Sequence, residues 1–403
     1  MKKFSLFKVP KSYFPIMTWV TKWTSLSYGI PIVVKNDTSL LKLTKVISTR
    51  REKLSHFFAQ FVLFFYTIVF SAWFYSNILR DNKSTPIPIW GKVMSFHFFS
   101  SYIEIFVDQI VLYFRRQELN LLLIATTWME EECIERGASN YVSPKILFGI
   151  ATTRYSLPLA PLILGLLGFF RPCTPPSIAG ALFLSCSKDW DDVEEGSLVI
   201  RSVNGLLQFY VFYVYSSVIV ITLDRIIIYP SVMIELWIGV INRKLQTSQG
   251  SLKFNYEEHL KQYRVAQVAQ NLVNCVMSKP FLAMFLAFSI EGQISSLYII
   301  ISSWSKLSAN VALFFLLMVI DFFAVIQFMF HSLSYSHVAS VKFVKNARRI
   351  SNQIGRDTWF RKFLRSCAPL KVGMGDGKYF DELTTFVIWQ FCVDRLINLL
   401  LLE

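Results

Sequence analysis

The sequence predicts an all-α membrane protein with seven transmembrane helices, an amino terminus in the cytoplasm and a carboxyl terminus outside the cell. Three observations predict this fold class. The 403-residue chain is 53% apolar and only 17% charged, whereas soluble proteins average about 45–50% and about 25%. The apolar residues fall into blocks of roughly 20, the length that crosses a bilayer. The positive charges lie in every second linker between these blocks.

Seven apolar blocks are long enough to be transmembrane helices. They cover residues 57–79, 93–114, 146–170, 206–228, 280–304, 311–330 and 383–402. We accordingly divide the chain into a cytoplasmic amino-terminal segment (1–56), spans one to six with their loops (57–330), a cytoplasmic loop with anchor helices (331–382) and the seventh span (383–403). Because lysines interrupt the apolar run of the first residues, we expect no cleavable signal peptide.

The orientation follows from the distribution of positive charge. Most of the 41 Lys and Arg residues lie before span one or in the linkers after spans two, four and six. Cytoplasmic linkers collect Lys and Arg, so the amino terminus is predicted inside, the reverse of a G-protein-coupled receptor. The formal net charge of +14 is therefore interpreted as a topology signal, and nucleic acid is not expected as a partner.

The predicted outside loops contain two modification signals. Asn82 begins the sequon Asn-Lys-Ser in the first outside loop and is the predicted glycosylation site. Cys173 and Cys186 share the second outside loop. In that oxidising compartment they form either a disulfide or two free thiols.

Three stretches of the predicted inside linkers continue with helical patterns. Residues 120–132, 234–245 and 338–350 combine apolar and charged residues at helical spacing. They predict helices that extend below the membrane into a cytoplasmic anchor layer, which would hold subunits together. The alternative is a set of amphipathic helices lying on anionic lipid.

The last span carries a polar stripe. Gln390, Asp394 and Asn398 are four residues apart, so they share one face of a helix. An Asp at the centre of a lipid-facing helix costs about 2.5–3.5 kcal/mol, so such a residue faces protein or water. The stripe is interpreted as lining a water-filled conduit or as hydrogen bonding between packed helices.

Further polar and aromatic side chains lie within the other spans. Small-molecule pockets are mostly apolar with a few placed polar groups, and for each residue hydrogen bonding between helices is the alternative. The candidate ligand contacts are His97, Gln208, Tyr210, Tyr213, Glu291, Gln293, Ser296, Tyr298 and Asp321. We also expect a buried ion pair between Glu104 or Asp108 and Arg154.

Two other classes of membrane protein are disfavoured. Adiponectin-receptor-like hydrolases have seven spans and hold zinc through three histidines, but of the five histidines here only His97 and His331 lie in or at the end of a span, on opposite sides. We therefore expect neither an enzyme nor a metal or organic cofactor. No internal repeat is visible, which disfavours many transporter folds.

Two stretches resemble a known family. Residues 272–304, "LVNCVMSKPFLAMFLAFSIEGQISSLYIIISSW", and residues 372–391, "VGMGDGKYFDELTTFVIWQF", are similar to the fifth-span region and the approach to the last span in the gustatory branch of the insect and arthropod gustatory and odorant receptor superfamily. The chain departs from the branch's last-span motif, Thr-Tyr followed by five apolar residues and Gln-Phe, because Leu383-Thr384 stands at the place of Thr-Tyr. It is identified as a divergent member.

The resemblance implies a plasma-membrane chemoreceptor that acts as a ligand-gated cation channel. In this family four subunits form a homotetramer among membrane lipids, with the seventh spans around a central pore. A small-molecule tastant would bind among spans two to six, and Gln390, Asp394 and Asn398 would line the pore. Whether the ligand is a sugar, a bitter compound or another chemical does not follow from the resemblance.

Overall fold

Helices make up nearly all the regular structure. The structure, a computed structural model, describes residues 12–34, 44–80, 87, 89–138, 141–175, 177–182, 197–247, 256–277, 280–307, 309–354, 358–375 and 377–401. In this part of the chain the strands form two short antiparallel pairs: β1 (Ile32–Val34) with β2 (Thr44–Val46), and β3 (Gly373–Gly375) with β4 (Lys378–Tyr379). The predicted all-α fold is confirmed.

The helices follow in chain order. They are α1 (Phe14–Leu26), α2 (Arg50–Phe74), α3 (Ile89–Phe114), α4 (Arg116–Glu135), α5 (Pro144–Phe170), α6 (Ile178–Leu182), α7 (Leu198–Val220), α8 (Tyr229–Thr247), α9 (Tyr256–Val276), α10 (Phe281–Ser303), α11 (Ala309–Ala324), α12 (Tyr335–Ile354), α13 (Thr358–Ser366) and α14 (Thr384–Leu400). Helices α2, α7 and α11 continue into π-helical stretches, Tyr75–Leu79, Ile221–Ile228 and Val325–Phe330.

Each predicted span lies in a helix of the structure. Five helical segments among the described residues are long and apolar enough to cross a membrane: Arg50–Leu79, Pro144–Phe170, Leu198–Thr247, Phe281–Ser303 and Val311–Asn352. The second and seventh predicted spans lie in α3, which carries Lys92, Glu104 and Asp108, and in α14, which is 17 residues long. These polar groups and the short length explain why the two helices are not among the five.

Small residues bring α5 and α7 into close contact. A Cβ atom on Gly205 would lie 3.0 Å from the carbonyl oxygen of Gly165, and one on Gly165 would lie 3.0 Å from Cβ of Phe209. Such close approach is typical of packing between membrane helices, where glycine lets two backbones meet. This contact forms one side of the bundle.

The amino-terminal segment contributes to the bundle itself. Helix α1 buries Met17, Val20 and Thr21 and packs against α7. The Tyr213 hydroxyl donates a hydrogen bond of 2.7 Å to the carbonyl oxygen of Trp23 at the end of α1. Helix α2 then begins at Arg50, where Thr49 and Glu52 form a capping box.

Helices α4, α8, α9, α12 and α13 pack together as a second layer beyond the spans. The Trp237 indole donates to the Gln262 carbonyl oxygen at 2.9 Å, and the Tyr263 and Phe343 rings stack with centroids 4.9 Å apart. Tyr263 also donates to the Ala368 carbonyl oxygen at 2.7 Å. Continuation of spans four and six into α8 and α12 agrees with the predicted extension of helices beyond the membrane.

Candidate functional site

A cavity lies within the bundle, between α3, α5, α7, α10 and α11. Its volume is about 190 Å³. Six phenylalanines line it: Phe98, Phe212, Phe285, Phe288, Phe314 and Phe322. The π-helical continuations of α7 and α11 also reach it through Leu223, Val325 and Met329. Unusual π-helical turns frequently mark functional sites.

The phenylalanine rings contact one another around the cavity. Phe98 packs edge to face on Phe212 with centroids 6.0 Å apart and stacks on Phe314 at 5.8 Å. Phe288 and Phe322 meet edge to face at 5.4 Å. Rings held in mutual contact form an ordered apolar wall, because each ring limits the rotation of its neighbour.

Gly292 makes room for one of these rings. A Cβ atom at position 292 would lie 2.2 Å from Cζ of Phe322. The Phe322 ring therefore lies directly against the backbone of α10. The sequence "SIEGQI" shows a glycine within a helix, but it does not show that the Phe322 ring packs against that glycine.

His97 and Glu291 form a polar contact at the edge of the cavity. His97 Nδ1 lies 3.4 Å from Oε2 of Glu291. The hydroxyls of Ser100 and Ser295 donate to the same carboxylate at 3.2 and 3.1 Å. The imidazole also stacks on Phe288 at 5.2 Å. His97 lines the cavity, while Glu291 lines a neighbouring groove between α3, α10 and α14, so the pair forms a wall between the two.

Asp321 also lines the cavity. It is exposed, and in the part of the chain that the structure describes it takes part in no hydrogen bond or ion pair. It precedes Phe322, whose ring also lines the cavity. Asp321 is therefore an acceptor without a partner beside an aromatic wall.

A buried polar cluster lies below the cavity. The Thr153 hydroxyl, on the cavity wall, donates to Asp224 at 2.8 Å. Next to Asp224, the Arg225 guanidinium lies over the Tyr229 ring, 4.8 Å from its centroid, and the Tyr229 hydroxyl donates to Glu130. The cluster was not predicted, although charged residues within an apolar run such as 218–228 are a usable signal.

Glu130 joins the two layers of the protein. Its carboxylate accepts from the Ser12 hydroxyl and the Tyr13 backbone N–H, each at 2.8 Å, and from the Tyr141 hydroxyl at 2.5 Å. Burial, and then the hydrogen bond to Glu130, raise the pKa of Tyr141. The phenol therefore stays protonated across the neutral pH range and donates a hydrogen bond to Glu130.

The predicted ligand residues on α3, α10 and α11 separate into three groups. His97 and Asp321 line the cavity. Glu291 and Tyr298 line the neighbouring groove. Gln293 and Ser296 are buried on α10 outside the cavity wall.

Three further predicted contacts on α7 face other parts of the protein. Gln208 is buried against α5, where its amide occupies the space over Gly168. Tyr210 packs on Phe58 of α2 with ring centroids 5.9 Å apart. Tyr213 donates to α1, as described above.

The expected ion pair of Arg154 is wrong. Its guanidinium lies over the Trp19 ring of α1, 4.6 Å from the centroid. Glu104 and Asp108 are buried on α3, and within the described residues their carboxylate oxygens have no hydrogen-bond partner. The prediction placed the residues at compatible depths, but Arg154 points toward the face of α5 that meets α1.

Two residues of the polar stripe of α14 face away from the protomer. Thr385, Ile388 and Cys392 are the buried residues of this helix, whereas Gln390, Asp394 and Asn398 are all exposed. Asp394 is two residues after Cys392, which turns it about 200° around the helix axis. Gln390 and Asp394 therefore lie on the side opposite the buried face, while Asn398 lines the groove between α3, α10 and α14.

The predicted outside modifications lie mostly beyond the described residues. Asn82 and Cys186 are outside them. Cys173 is disulfide-bonded, and its pairing with Cys186 stays a prediction. Cys133, Cys275, Cys367 and Cys392 are free thiols. In the described part of the chain no three His, Cys, Asp or Glu residues are grouped so that they could hold a metal ion.

The architecture matches solved structures over almost its whole length. The structure of the insect olfactory receptor OR5 from Machilis hrabei covers 97% of this chain and 97% of its own, with a TM-score of 0.59 and 11% sequence identity. Its structure in complex with eugenol has the same coverage, a TM-score of 0.64 and 9% identity. The chain has the insect olfactory receptor fold.

Sequence comparison alone does not detect this likeness. No protein-family model matches the chain, and no curated protein matches it either. The insect olfactory receptor fold is thus shared at an identity of about one residue in ten. At that distance the similarity establishes the arrangement of helices, and the roles of the cavity and of α14 have to be argued from this chain's own residues.

Proposed function

We propose that the protein is a chemosensory receptor of the plasma membrane that acts as a ligand-gated cation channel. Four copies assemble around an axis lined by α14, and a small organic molecule binds in the cavity between α3, α5, α7, α10 and α11. The gustatory-like stretches at 272–304 and 372–391 support a gustatory rather than an olfactory role. The insect olfactory receptor fold supports the receptor class.

One observation carries the channel proposal. Gln390 and Asp394 are exposed on the side of α14 that is turned away from its own protomer, and Asn398 is exposed at the edge of the groove beside it. A carboxylate exposed to lipid is costly, so this face meets water or other polypeptide. A ring of four such helices would present carboxylates and amides to permeating ions, and rings of carboxylates favour cations.

The cavity supports the ligand-gated part of the proposal. It is lined by phenylalanine rings and contains few polar groups, as small-molecule sites are. Its wall contains His97, whose partner Glu291 lines the groove beside α14. A ligand that displaces His97 would thereby change the surroundings of Phe391 and Arg395 on α14, which line the same groove.

The remaining features of the proposal follow from the chain's surface and charge. Apolar side chains exposed on α2, α5 and α11, such as Phe61, Leu162 and Leu316, fit contact with membrane lipids. Asn82 is the proposed glycosylation site, and Cys173 with Cys186 the proposed disulfide. Neither nucleic acid nor a cofactor has a part in this function, and it is not enzymatic.

The experiment that tests the proposal is neutralisation of Asp394. If Asp394 faces the ion path, Asp394→Asn will lower the relative permeability to calcium while surface expression stays near normal, because one carboxylate per subunit is lost from the path. Whole-cell recording of ligand-evoked reversal potentials measures this. Glu135→Gln removes an exposed carboxylate at the end of α4 and serves as the matched control.

Two results would contradict the proposal. Unchanged permeation in Asp394→Asn channels with normal expression would remove Asp394 from the ion path. Collapse of assembly without any change in selectivity would assign the stripe to packing between helices.

A further inference from the structure

We propose that the cavity selects a small protonated organic amine, with its ammonium group beside the Asp321 carboxylate and its apolar part among the phenylalanine rings. This inference rests on the proposed function, since it names the chemical class of ligand for the same site. The argument uses the charge of the cavity, the position of Asp321 and the arrangement of the rings.

Asp321 is a carboxylate that lacks a counter-charge. It lies within the sixth span, lines the cavity and has no ion pair or hydrogen bond among the described residues. An Asp within a membrane helix costs about 2.5–3.5 kcal/mol unless it meets water or a partner. No Lys or Arg stands among the described residues of the cavity wall. Within the protomer this acidic group therefore has no counter-charge, and a cation that enters the cavity would supply one.

The other ionisable group of the wall does not supply a counter-charge. His97 is held against Glu291 at 3.4 Å. The imidazole therefore pairs with Glu291 and not with Asp321. Adding Asp321 makes the site negative, which favours a cationic ligand over an anionic one.

The rings provide the second element of amine recognition. Cations are attracted to the faces of aromatic rings within about 6 Å of the centroid, and this attraction strengthens away from water. Phe288 and Phe322 both line the cavity with their ring centroids 5.4 Å apart, and Phe322 follows Asp321 in the sequence. A carboxylate beside several phenyl rings would bind an ammonium group and the hydrocarbon attached to it.

Other ligand classes fit the same wall less well. A neutral alcohol or phenol could use His97 or the serine hydroxyls, but it would leave the Asp321 charge uncompensated. A metal ion would need several oxygen or nitrogen ligands around one point, and the described residues offer no group of three His, Cys, Asp or Glu. The volume of about 190 Å³ corresponds to roughly six water molecules at about 30 Å³ each, so the amine is small.

The test compares two probes that share a carbon skeleton. Binding of 2-phenylethylamine and of 2-phenylethanol is measured by titration of the full-length protein in lipid nanodiscs. We expect the amine to bind at least about tenfold more tightly, a difference of about 1.4 kcal/mol. Asp321→Asn should abolish this preference, Asp321→Glu should retain most of it, and Glu135→Gln should leave it unchanged.

Several outcomes would overturn the amine site. Equal affinity for the two probes, no binding of the amine, or a preference that persists in Asp321→Asn would each do so. If Asp321→Asn does not fold, the affinities of the two probes are compared in the unmodified protein and in Asp321→Ser, which also lacks the carboxylate.

The binding assay and current recording separate this inference from the proposed function. Currents evoked equally by the alcohol and the amine would overturn the amine preference and leave the channel in place. Binding of the amine that depends on Asp321, in a protein that conducts no current with either probe, would support the amine site and reject the channel.

Discussion

At the scale of single residues, the contact between His97 and Glu291 is the polar feature on which the cavity wall depends. The carboxylate is held by the imidazole and by two serine hydroxyls. Removing one member of a buried polar pair leaves the other without its partner, and the desolvation of that group is then not offset. The effects of His97 and Glu291 on the free energy of unfolding should therefore depend on each other.

A double-mutant cycle measures this coupling. We expect His97→Ala to lower the free energy of unfolding by about 1–3 kcal/mol, because Glu291 loses a partner. The double variant His97→Ala/Glu291→Gln should lose less than the sum of the two single variants. Thermal unfolding in detergent, followed by intrinsic fluorescence, provides the comparison. Additive effects would show that the pair is not an energetic unit.

The sequence indicated several residues near the cavity, but it did not give the direction in which each side chain points, and their roles as ligand contacts stay predictions. His97 and Asp321 were expected near a ligand, and both line the cavity. Tyr213 and Gln208 lie on the same helix as the cavity residue Phe212, but they point to α1 and α5. A linear sequence indicates how deep a residue lies in the membrane, whereas the neighbour that it meets depends on the rotation of the helix.

At the scale of helices, the contact between α5 and α7 depends on two glycines. The added methyl group of Gly205→Ala would lie 3.0 Å from the Gly165 carbonyl oxygen and 3.0 Å from Cβ of Phe169. Because a backbone atom cannot move aside as a side-chain tip can, the helices must separate. We expect a loss of stability of about 1–3 kcal/mol, as for other overpacked sites.

Gly239→Ala is the matched control. Gly239 lies in α8, and a Cβ atom there meets nothing within 4 Å. Alanine has the higher helix propensity, so this variant should be neutral or slightly stabilising. Both variants are compared by thermal unfolding under the same conditions. Similar losses in the two would attribute the effect to the backbone of glycine rather than to the contact of α5 with α7.

Long apolar runs made the membrane-spanning helices predictable. The short helix α1 and the π-helical stretches were not predictable in this way. Every predicted span lies in a helix, because a run of 20 apolar residues has few alternatives in a membrane. Helix α1, with 13 residues and Lys22 on its exposed side, was not predicted. The π-helical stretches after Val220 and Ala324 widen the turn and shift the faces that follow, so a regular helical period does not describe the cavity floor.

At the scale of the whole molecule, the two layers are joined by one buried carboxylate. Glu130 of α4 accepts from residues that precede α1, from Tyr141 before α5 and from Tyr229 of α8. Its contacts reach the cavity through the neighbouring residues Arg225 and Asp224 and through Thr153. This connection is a structural route between the cavity and the second layer of helices.

The central claim is that the stripe of α14 faces a shared aqueous path. Cysteine accessibility tests it most directly, because a charged methanethiosulfonate reagent reacts only with thiols that water reaches. We predict that the reagent changes the currents of Gln390→Cys, Asp394→Cys and Asn398→Cys, and leaves Val393→Cys, Leu396→Cys and the unmodified protein unaffected. Reaction at Val393 or Leu396, with protection at Asp394, would contradict the account.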